Sequence, residues 1–257
     1  MRSRIAVAVA CLLTPAMASA QLGQAQAPSP SAQQQNQQIL DELRQIRALL
    51  ERLLAPSPPQ AQQPKAPVAD PVVKLTNVTG YVLGKPDAPL TMVEFSDLQC
   101  PYCRQFHVTA FDQLKKAYID TGKLRYISRD FPLTSIHSFA LDAARASRCA
   151  GEQGRFWDMR HAILATSVAL RADSFVPFAA TLKLNPKEFN ACMQQTTRYD
   201  LDLQKDQQEG EKAGISATPS FVLGRTVADG VDGVLLIGAQ PFQAFDAKLK
   251  ALLATLP

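Results

Sequence analysis

The stretch SDLQCPYCRQFH, residues 96–107, places Cys100 and Cys103 three positions apart, directly after an apolar run. Pro101 suits the first position of a helix, so both sulfurs would lie on the first helical turn. Free backbone N–H groups and the helix dipole stabilise a thiolate there. We therefore predict a reactive dithiol, with Cys100 as the nucleophile and Cys103 as the residue that resolves a mixed disulfide. This chemistry requires no cofactor.

A zinc site is the structural alternative, because Cys100, Cys103 and His107 could supply three ligands. The chain has no second C-x-x-C, and its other cysteines lie far away in sequence, so a closed four-ligand site is difficult to assemble. Arg104 follows Cys103 at the position where a covalent haem motif requires histidine. We predict no metal, and we assign no role to His107.

A carboxylate, Glu94, lies in the apolar segment MVEF, six residues before Cys100. If Glu94 is buried beneath the helix start, it could relay the proton of Cys103. If the strand alternates between a buried and an exposed face, Glu94 would instead point to solvent. The residues alone leave both possibilities open.

Two further cysteines, Cys149 and Cys192, lie in segments with helical patterns. A bridge between them would close a loop of about 43 residues, which is worth roughly 4 kcal/mol in chain entropy. We predict that they form a structural disulfide. Two unpaired buried thiols are the alternative, because free cysteines often behave as small apolar residues.

The N-terminal residues 1–20, MRSRIAVAVACLLTPAMASA, have a basic start, an apolar centre and a small-residue cleavage site, as in a secretory signal peptide. The alternative of a membrane anchor would need roughly 20 apolar residues, more than this run provides. Cleavage of the signal would deliver the protein to a bacterial periplasm, where disulfide chemistry is possible.

Three segments separate this signal from the main domain. Residues 21–36 are rich in Gln, Ala, Pro and Ser, which predicts disorder. Residues 37–54 carry apolar positions at alternating steps of four and three, which indicates a helix that self-associates into a homo-oligomer. Folding of that helix back onto its own domain is the alternative. Residues 55–72 form a Pro-rich linker that should be extended and semi-rigid.

The remaining residues, 73–257, show the patterns of a strand, a helix, a strand, a helical segment, a strand hairpin and a closing helix. This order predicts an α/β chain with a thioredoxin-like fold and an inserted all-helical domain at about 138–200. A hydrophobic content of 46% is enough for a sizeable core. Lys and Arg number 27 against 23 Asp and Glu, with no basic stripe, so nothing indicates a nucleic-acid partner.

Four stretches also carry a resemblance to a known family. In chain order they are GKPDAPLTMVEFSDLQCPYC, RDFPL with His137 shortly after it, AARASRCAGEQGRFWDM and GISATPSFVLG. Over about residues 75–255 the chain resembles the DsbA-like thiol-disulfide oxidoreductases. The resemblance implies a thioredoxin fold interrupted by a helical domain.

The resemblance also implies roles for individual residues. Cys100 would be the nucleophile and Cys103 its partner, and Pro219 would be a cis-proline that faces them. The backbone of Thr218 would pair with an extended client segment and present the client cysteine. Glu94 would be the buried acid of the family, with Arg125 or Lys123 on the next strand as its counter-charge.

The active-site sequence departs from the strongly oxidising members of this family, because Pro-Tyr stands between the cysteines instead of Pro-His. Pro-Tyr and the threonine before the cis-proline are similar to periplasmic disulfide isomerases, which carry N-terminal association segments. We predict an exported enzyme that forms or reshuffles disulfides in exported client proteins. Its redox partner would be a DsbB-type or a DsbD-type membrane protein.

Other functions remain possible on the sequence alone. The protein could be an oligomeric isomerase or reductase that a membrane partner keeps reduced. It could also be a non-enzymatic module that binds clients like a chaperone, or, as a weaker possibility, a metal-handling protein.

Overall fold

The computed structural model describes residues 30–54, 70–76 and 78–256. Contacts between residues divide the chain into two units, 1–67 and 68–257. The predicted signal peptide and most of the predicted linker lie outside the described residues. None of the described helices combines the length and the apolar character needed to cross a membrane.

In the first unit the structure describes one helix, α1, which spans Pro30–Leu54. The helix begins at residue 30 rather than 37, so the prediction of disorder was wrong for residues 30–36. A helix that has nucleated on an apolar seam extends easily through Gln and Ala, because each added residue gains a hydrogen bond. Six large apolar side chains of α1 are between 48% and 59% exposed; they are Ile39, Leu40, Leu43, Ile46, Leu49 and Leu50.

The second unit is built on a mixed sheet. Its described strands are β1 Val72–Thr76, β2 Tyr81–Leu83, β3 Leu90–Ser96, β4 Leu124–Asp130, β5 Ser220–Val227 and β6 Gly230–Ile237. Their order across the sheet is β1-β6-β5-β3-β4-β2. The two central strands β3 and β4 are parallel, and the other neighbours are antiparallel. All residues of β3 are buried, as expected for a central strand covered on both faces.

The sequence patterns predicted β3 to β6 but not the two edge strands, β1 and β2. Both are short and have partly exposed residues, so they lack the apolar run or clean alternation that marks a strand. Strand β1 also begins at Val72, inside the segment predicted as linker. Gly233 lies within β6, where it pairs with Gly224 of β5.

A long helix, α2, follows β3. It consists of Pro101–Phe106, a π-helical stretch His107–Phe111, Asp112–Leu114 and a second π-helical stretch Lys115–Ile119. The helices between β4 and β5 are α3 Ala140–Gly151, α4 Phe156–Ala165, α5 Phe175–Thr181, α6 Pro186–Gln194 and α7 Asp200–Lys212. The closing helix is α8 Phe242–Ala254. The thioredoxin-like fold with a helical insertion, predicted from the element order, is therefore confirmed.

Three apolar cores hold this unit together. Helices α2 and α8 cover one face of the sheet, with Phe106 and Phe245 against Phe221. Helix α7 lies on the other face, where a Cβ at Gly210 would approach Phe131 to 2.8 Å and Phe95 to 3.0 Å. The third core lies among α3 to α6 and also contains both cysteines of the C-x-x-C. The active-site sulfurs therefore lie at the junction of sheet and insert.

Candidate active site

The turn between β3 and α2 presents the two cysteines. Cys100 caps the N-terminus of α2 in an extended conformation, and Pro101 occupies the first helical position. The backbone N–H of Cys100 donates to the Asp97 carbonyl at 3.0 Å, and the backbone N–H of Arg104 donates to the Cys100 carbonyl at 3.1 Å. Backbone hydrogen bonds therefore hold both the amide and the carbonyl group of Cys100.

The Asp97 side chain fixes the same turn from below. It is fully buried and accepts from the backbone N–H of Gln99 and of Leu133, each at 2.8 Å. Oδ2 of Asp97, which accepts from Leu133, also lies 2.8 Å from Nδ1 of His137. These contacts tie the turn before Cys100 to the loop that leads into the helical insert. Sequence reasoning gave Asp97 no role, although a polar residue at the end of a buried strand was a signal for one.

The Cys100 thiol is almost completely buried and faces the Thr218–Pro219 peptide bond, which is cis. Its Sγ lies 3.5 Å from the Thr218 carbonyl oxygen, to which the protonated thiol donates. The Thr218 hydroxyl is also buried and has no hydrogen-bond partner among the described residues. It is therefore free to donate to the thiolate once Cys100 loses its proton.

The surroundings of Cys100 favour the thiolate. Together they lower the pKa of Cys100 from its ordinary value of 9.0 to about 5. The largest single cause is a hydrogen bond from the Cys103 thiol, and burial opposes the change. Smaller contributions in the same direction, included in that value, come from the Thr218 hydroxyl and from the backbone N–H groups of Cys103 and Tyr102. These are the free donors that the first turn of a helix provides.

The second cysteine behaves in the opposite way. Burial raises the pKa of Cys103 well above its ordinary value, and the hydrogen bond to Cys100 and the charges of Cys100 and Glu94 act in the same direction. The dithiol therefore places its negative charge on Cys100 and its proton on Cys103. In the structure both cysteines are free thiols.

Glu94 is buried in β3, so it does not point to solvent. Its Oε2 accepts from the hydroxyl of Tyr126 and from the guanidinium of Arg160. Its other oxygen, Oε1, is buried and has no hydrogen-bond partner among the described residues. The charge of Glu94 raises the pKa of Cys103, after the larger effects of burial and of Cys100.

The predicted counter-charge of Glu94 was wrong. Arg125 pairs with Thr91 in the sheet register and donates to its hydroxyl at 3.1 Å, on the face opposite to Glu94. Lys123 precedes β4 and is exposed. The cation is Arg160 of α4, which is fully buried. It is distant in sequence, and the pattern of its helix gives no sign that an arginine points inward.

His107 does not complete a metal site with the cysteines. Its Nε2 lies 2.9 Å from Nδ1 of His161, and its ring stacks on Phe111. Burial, with a smaller effect of Arg160, lowers the pKa of His107 to about 3. Within the described residues, no three His, Cys, Asp or Glu side chains converge as metal ligands would.

Cys149 and Cys192 are joined by a disulfide that links α3 to α6 inside the insert. Their sulfurs are 2.00 Å apart and their Cα atoms 5.8 Å apart. The bridge includes neither cysteine of the reactive pair, and it joins two of the helices that form the third core.

A C-x-x-C at a helix start, facing a cis-proline on a sheet with a helical insert, defines a thioredoxin-fold dithiol protein. The family model described as Thioredoxin matches residues 76–233, which is more than half of the chain. The chain belongs to this thioredoxin family, and within it the fold is DsbA-like.

Solved structures support this assignment. Alpha-DsbA1 from Wolbachia pipientis superposes with a TM-score of 0.59 at 28% identity, over 67% of this chain and 90% of that chain. BdbD from Bacillus subtilis gives a TM-score of 0.60 at 21% identity, over 71% of this chain and 98% of that chain, and shows the shared fold.

Curated relatives match over shorter parts of their length. A protein-disulfide oxidoreductase of Rickettsia conorii is 36% identical over 114 residues, which are 42% of this chain and 39% of that protein. The Na(+)/H(+) antiporter NhaA 1 of Salinispora arenicola is 32% identical over 154 residues, which are 60% of this chain. This chain covers only 23% of the antiporter's length.

Proposed function

We propose that the protein is an exported thiol:disulfide oxidoreductase that forms or reshuffles disulfide bonds in other exported proteins. The observation that carries the proposal is the Cys100–Cys103 dithiol at the start of α2, with Cys100 Sγ 3.5 Å from the Thr218 carbonyl oxygen beside the cis bond to Pro219. These surroundings lower the pKa of Cys100 and raise that of Cys103. Such a pair keeps one sulfur as a thiolate at neutral pH and the other as a proton carrier. A stable thiolate is both a good nucleophile and a good leaving group in disulfide exchange.

In the oxidising direction, a client thiolate attacks Cys100 Sγ of the Cys100–Cys103 disulfide. The bond between Cys100 and the client forms, and Cys103 leaves as a thiolate that takes up a proton. A second client thiolate then attacks the client sulfur of the mixed disulfide, so the client disulfide forms and Cys100 leaves as a thiolate. Two electrons pass from the client to the enzyme, and a DsbB-type membrane partner would remove them.

In the isomerising or reducing direction, the Cys100 thiolate attacks a client disulfide and Cys103 resolves the mixed disulfide. A DsbD-type membrane partner would then return two electrons to the enzyme. The Pro-Tyr dipeptide between the cysteines, in place of the Pro-His of the strongly oxidising members, supports an active site less oxidising than theirs.

Three neighbouring residues would assist both directions. The backbone of Thr218, beside the cis bond to Pro219, would pair with an extended client segment. Thr218 Oγ1 would donate to the thiolate. Glu94 would relay the proton of Cys103 through Oε1, the oxygen that lacks a partner.

We also propose that residues 1–20 direct export to the periplasm and that α1 forms a homo-oligomer. The half-exposed apolar side chains of α1 support the second point, because they repeat along one stripe of the helix, as in a coiled-coil seam. Exposed ion pairs within the helix, such as Arg47 to Glu51 at 2.9 Å, keep its polar side in water.

The central experiment is a redox titration of the protein in glutathione buffers, combined with reactivation of a scrambled disulfide-bonded substrate. We expect a reduction potential in the periplasmic range and substrate turnover that Cys100→Ser abolishes. A Cys100–Cys103 couple far below that range, with no exchange activity, would exclude an enzyme and leave a client-binding module.

Deletion of residues 21–70 separates the oxidase from the isomerase. If α1 enforces an isomerase role, the truncated protein becomes monomeric and gains oxidation by a DsbB-type partner. Light scattering gives the mass of both forms. A full-length protein that is already monomeric contradicts the oligomer.

A further inference from the structure

A groove opens beside the nucleophile, with Cys100 in its lining. It lies between the start of α2 and the segment that follows α4, and its volume is about 280 Å³. We call it the Arg104 groove. Its lining includes Leu98, Cys100, Arg104, Ile163, Thr166 and Leu170. The volume falls just below the roughly 300 to 1,000 Å³ of pockets for drug-sized ligands, which suits a short piece of chain.

One charged residue lies in this lining. Arg104 follows Cys103 directly, and its Nε donates to the Thr166 carbonyl at 2.7 Å. This bond fixes the base of the guanidinium against the helical insert. No described carboxylate pairs with its two terminal nitrogens, and the lining contains no Asp or Glu.

The rest of the wall is largely apolar. Leu98, Ile163 and Leu170 contribute buried or mostly buried aliphatic side chains, and Val168 projects at the rim, 71% exposed. An unneutralised guanidinium above aliphatic side chains can pair with a carboxylate through two parallel hydrogen bonds. The wall beneath would take the methylene groups of that acidic side chain or an apolar neighbour.

We propose that the Arg104 groove is a client subsite that selects an acidic residue next to the client cysteine. This inference rests on the proposed function and names the substrate class of the same site. Because Cys100 is part of the groove wall, a client cysteine bound to Cys100 Sγ brings its neighbouring residues to the groove. A peptide with an acidic residue beside its cysteine therefore complements both the charge and the apolar wall.

The test uses three cysteine peptides that are identical except for Glu, Gln or Lys next to the cysteine. Their second-order rates of exchange with the oxidised full chain are measured for the wild type and for Arg104→Gln, Arg104→Lys and Arg104→Glu. Lys116→Gln is the matched control, since Lys116 is exposed on the same helix about 18 Å away and carries the same charge.

We expect the wild type to prefer the Glu peptide over the Gln peptide by about 3- to 5-fold, the size of a partly exposed ion pair. Arg104→Gln removes this preference, Arg104→Glu reverses it toward the Lys peptide, and Arg104→Lys keeps part of it. Lys116→Gln leaves it unchanged, and salt weakens it in the wild type. The ratio between peptides cancels any general effect of a variant on the reactivity of Cys100.

Equal rates for the Glu and Gln peptides in the wild type would overturn the subsite, and so would an undiminished Glu preference in Arg104→Gln. A wild type that exchanges with no peptide would overturn the proposed function, and the subsite with it. Loss of the preference in Lys116→Gln would assign it to the overall charge of the chain, which also overturns the subsite.

Discussion

The hydrogen bond from Cys103 to Cys100 is the contact most open to a quantitative test. It is the largest cause of the low pKa of Cys100, about 5 against an ordinary value of 9.0. Cys103→Ala removes the donor and leaves the rest of the helix start in place. Cys103→Ser is the matched control, because its hydroxyl can still donate at the same position.

The magnitude follows from the charge on the acceptor. A hydrogen bond to a charged group contributes about 1.5 to 3 kcal/mol, and about 1.36 kcal/mol corresponds to one pH unit. The titration midpoint of Cys100 should therefore rise by about one to two pH units in Cys103→Ala and by much less in Cys103→Ser. The Thr218 hydroxyl is a smaller cause, so Thr218→Val should give a smaller rise.

The assay is the ultraviolet absorbance of the thiolate as a function of pH. In the two Cys103 variants, produced without residues 1–20 and hence without Cys11, Cys100 is the one cysteine outside the Cys149–Cys192 disulfide, so the signal reports on it directly. Equal midpoints for Cys103→Ala and Cys103→Ser, both near that of the wild type, would refute the role of this hydrogen bond. The backbone N–H groups of the helix start would then account for the thiolate.

The low pKa of Cys100 also gives the stability of the reduced protein a pH dependence of defined sign. The folded-state pKa of Cys100 is lowered from 9.0 to about 5, so ionisation of Cys100 stabilises the reduced fold. This contribution is complete above about pH 9 and is lost as the pH falls through about 5. The oxidised protein has no Cys100 thiolate and lacks this contribution. The unfolding free energy of the reduced protein should therefore increase relative to that of the oxidised protein between about pH 5 and about pH 9.

Three further predictions concern the stability of the fold, each measured by denaturant unfolding. Arg160→Met should lower the unfolding free energy by about 3 to 5 kcal/mol, because it leaves the buried charge of Glu94 unpaired. The double variant Arg160→Met with Glu94→Gln should recover part of this loss. No recovery would argue against the ion pair. Replacing Cys149 and Cys192 by Ala should cost about 4 kcal/mol through the long loop they close, without changing the redox titration of the active site, and an altered potential would contradict their separation from it. Gly210→Ala should cost about 1 to 3 kcal/mol by overpacking α7 on the sheet, and an unchanged stability would show that the neighbouring rings move aside.

Sequence reasoning identified the features of the site that depend on local order along the chain. The C-x-x-C after a strand and the helix that starts at Pro101 involve neighbouring residues, so spacing and turn preferences were enough. The cis bond at Pro219 came only from the family resemblance, because most X-Pro bonds are trans.

The features that sequence reasoning missed depend on contacts between distant segments. Arg160 meets Glu94 only after the helical insert has packed on the sheet, and helical periodicity normally places arginine on the surface. The nearer cation, Arg125, was a reasonable candidate by sequence distance. The strand register turns it to the opposite face, and a short motif does not reveal the register.

The ion pair between Glu94 and Arg160 bears on how far this protein can be divided into modules. From the order of elements alone, the helices between β4 and β5 could be deleted to leave a minimal thioredoxin fold. Excision would remove Arg160, and with it the counter-charge of an acid that lies beneath the nucleophile, as well as one wall of the Arg104 groove. The active site therefore depends on both the sheet and the helical insert. A chain without the insert would need a neutral residue in place of Glu94, because no cation would remain to pair with the carboxylate.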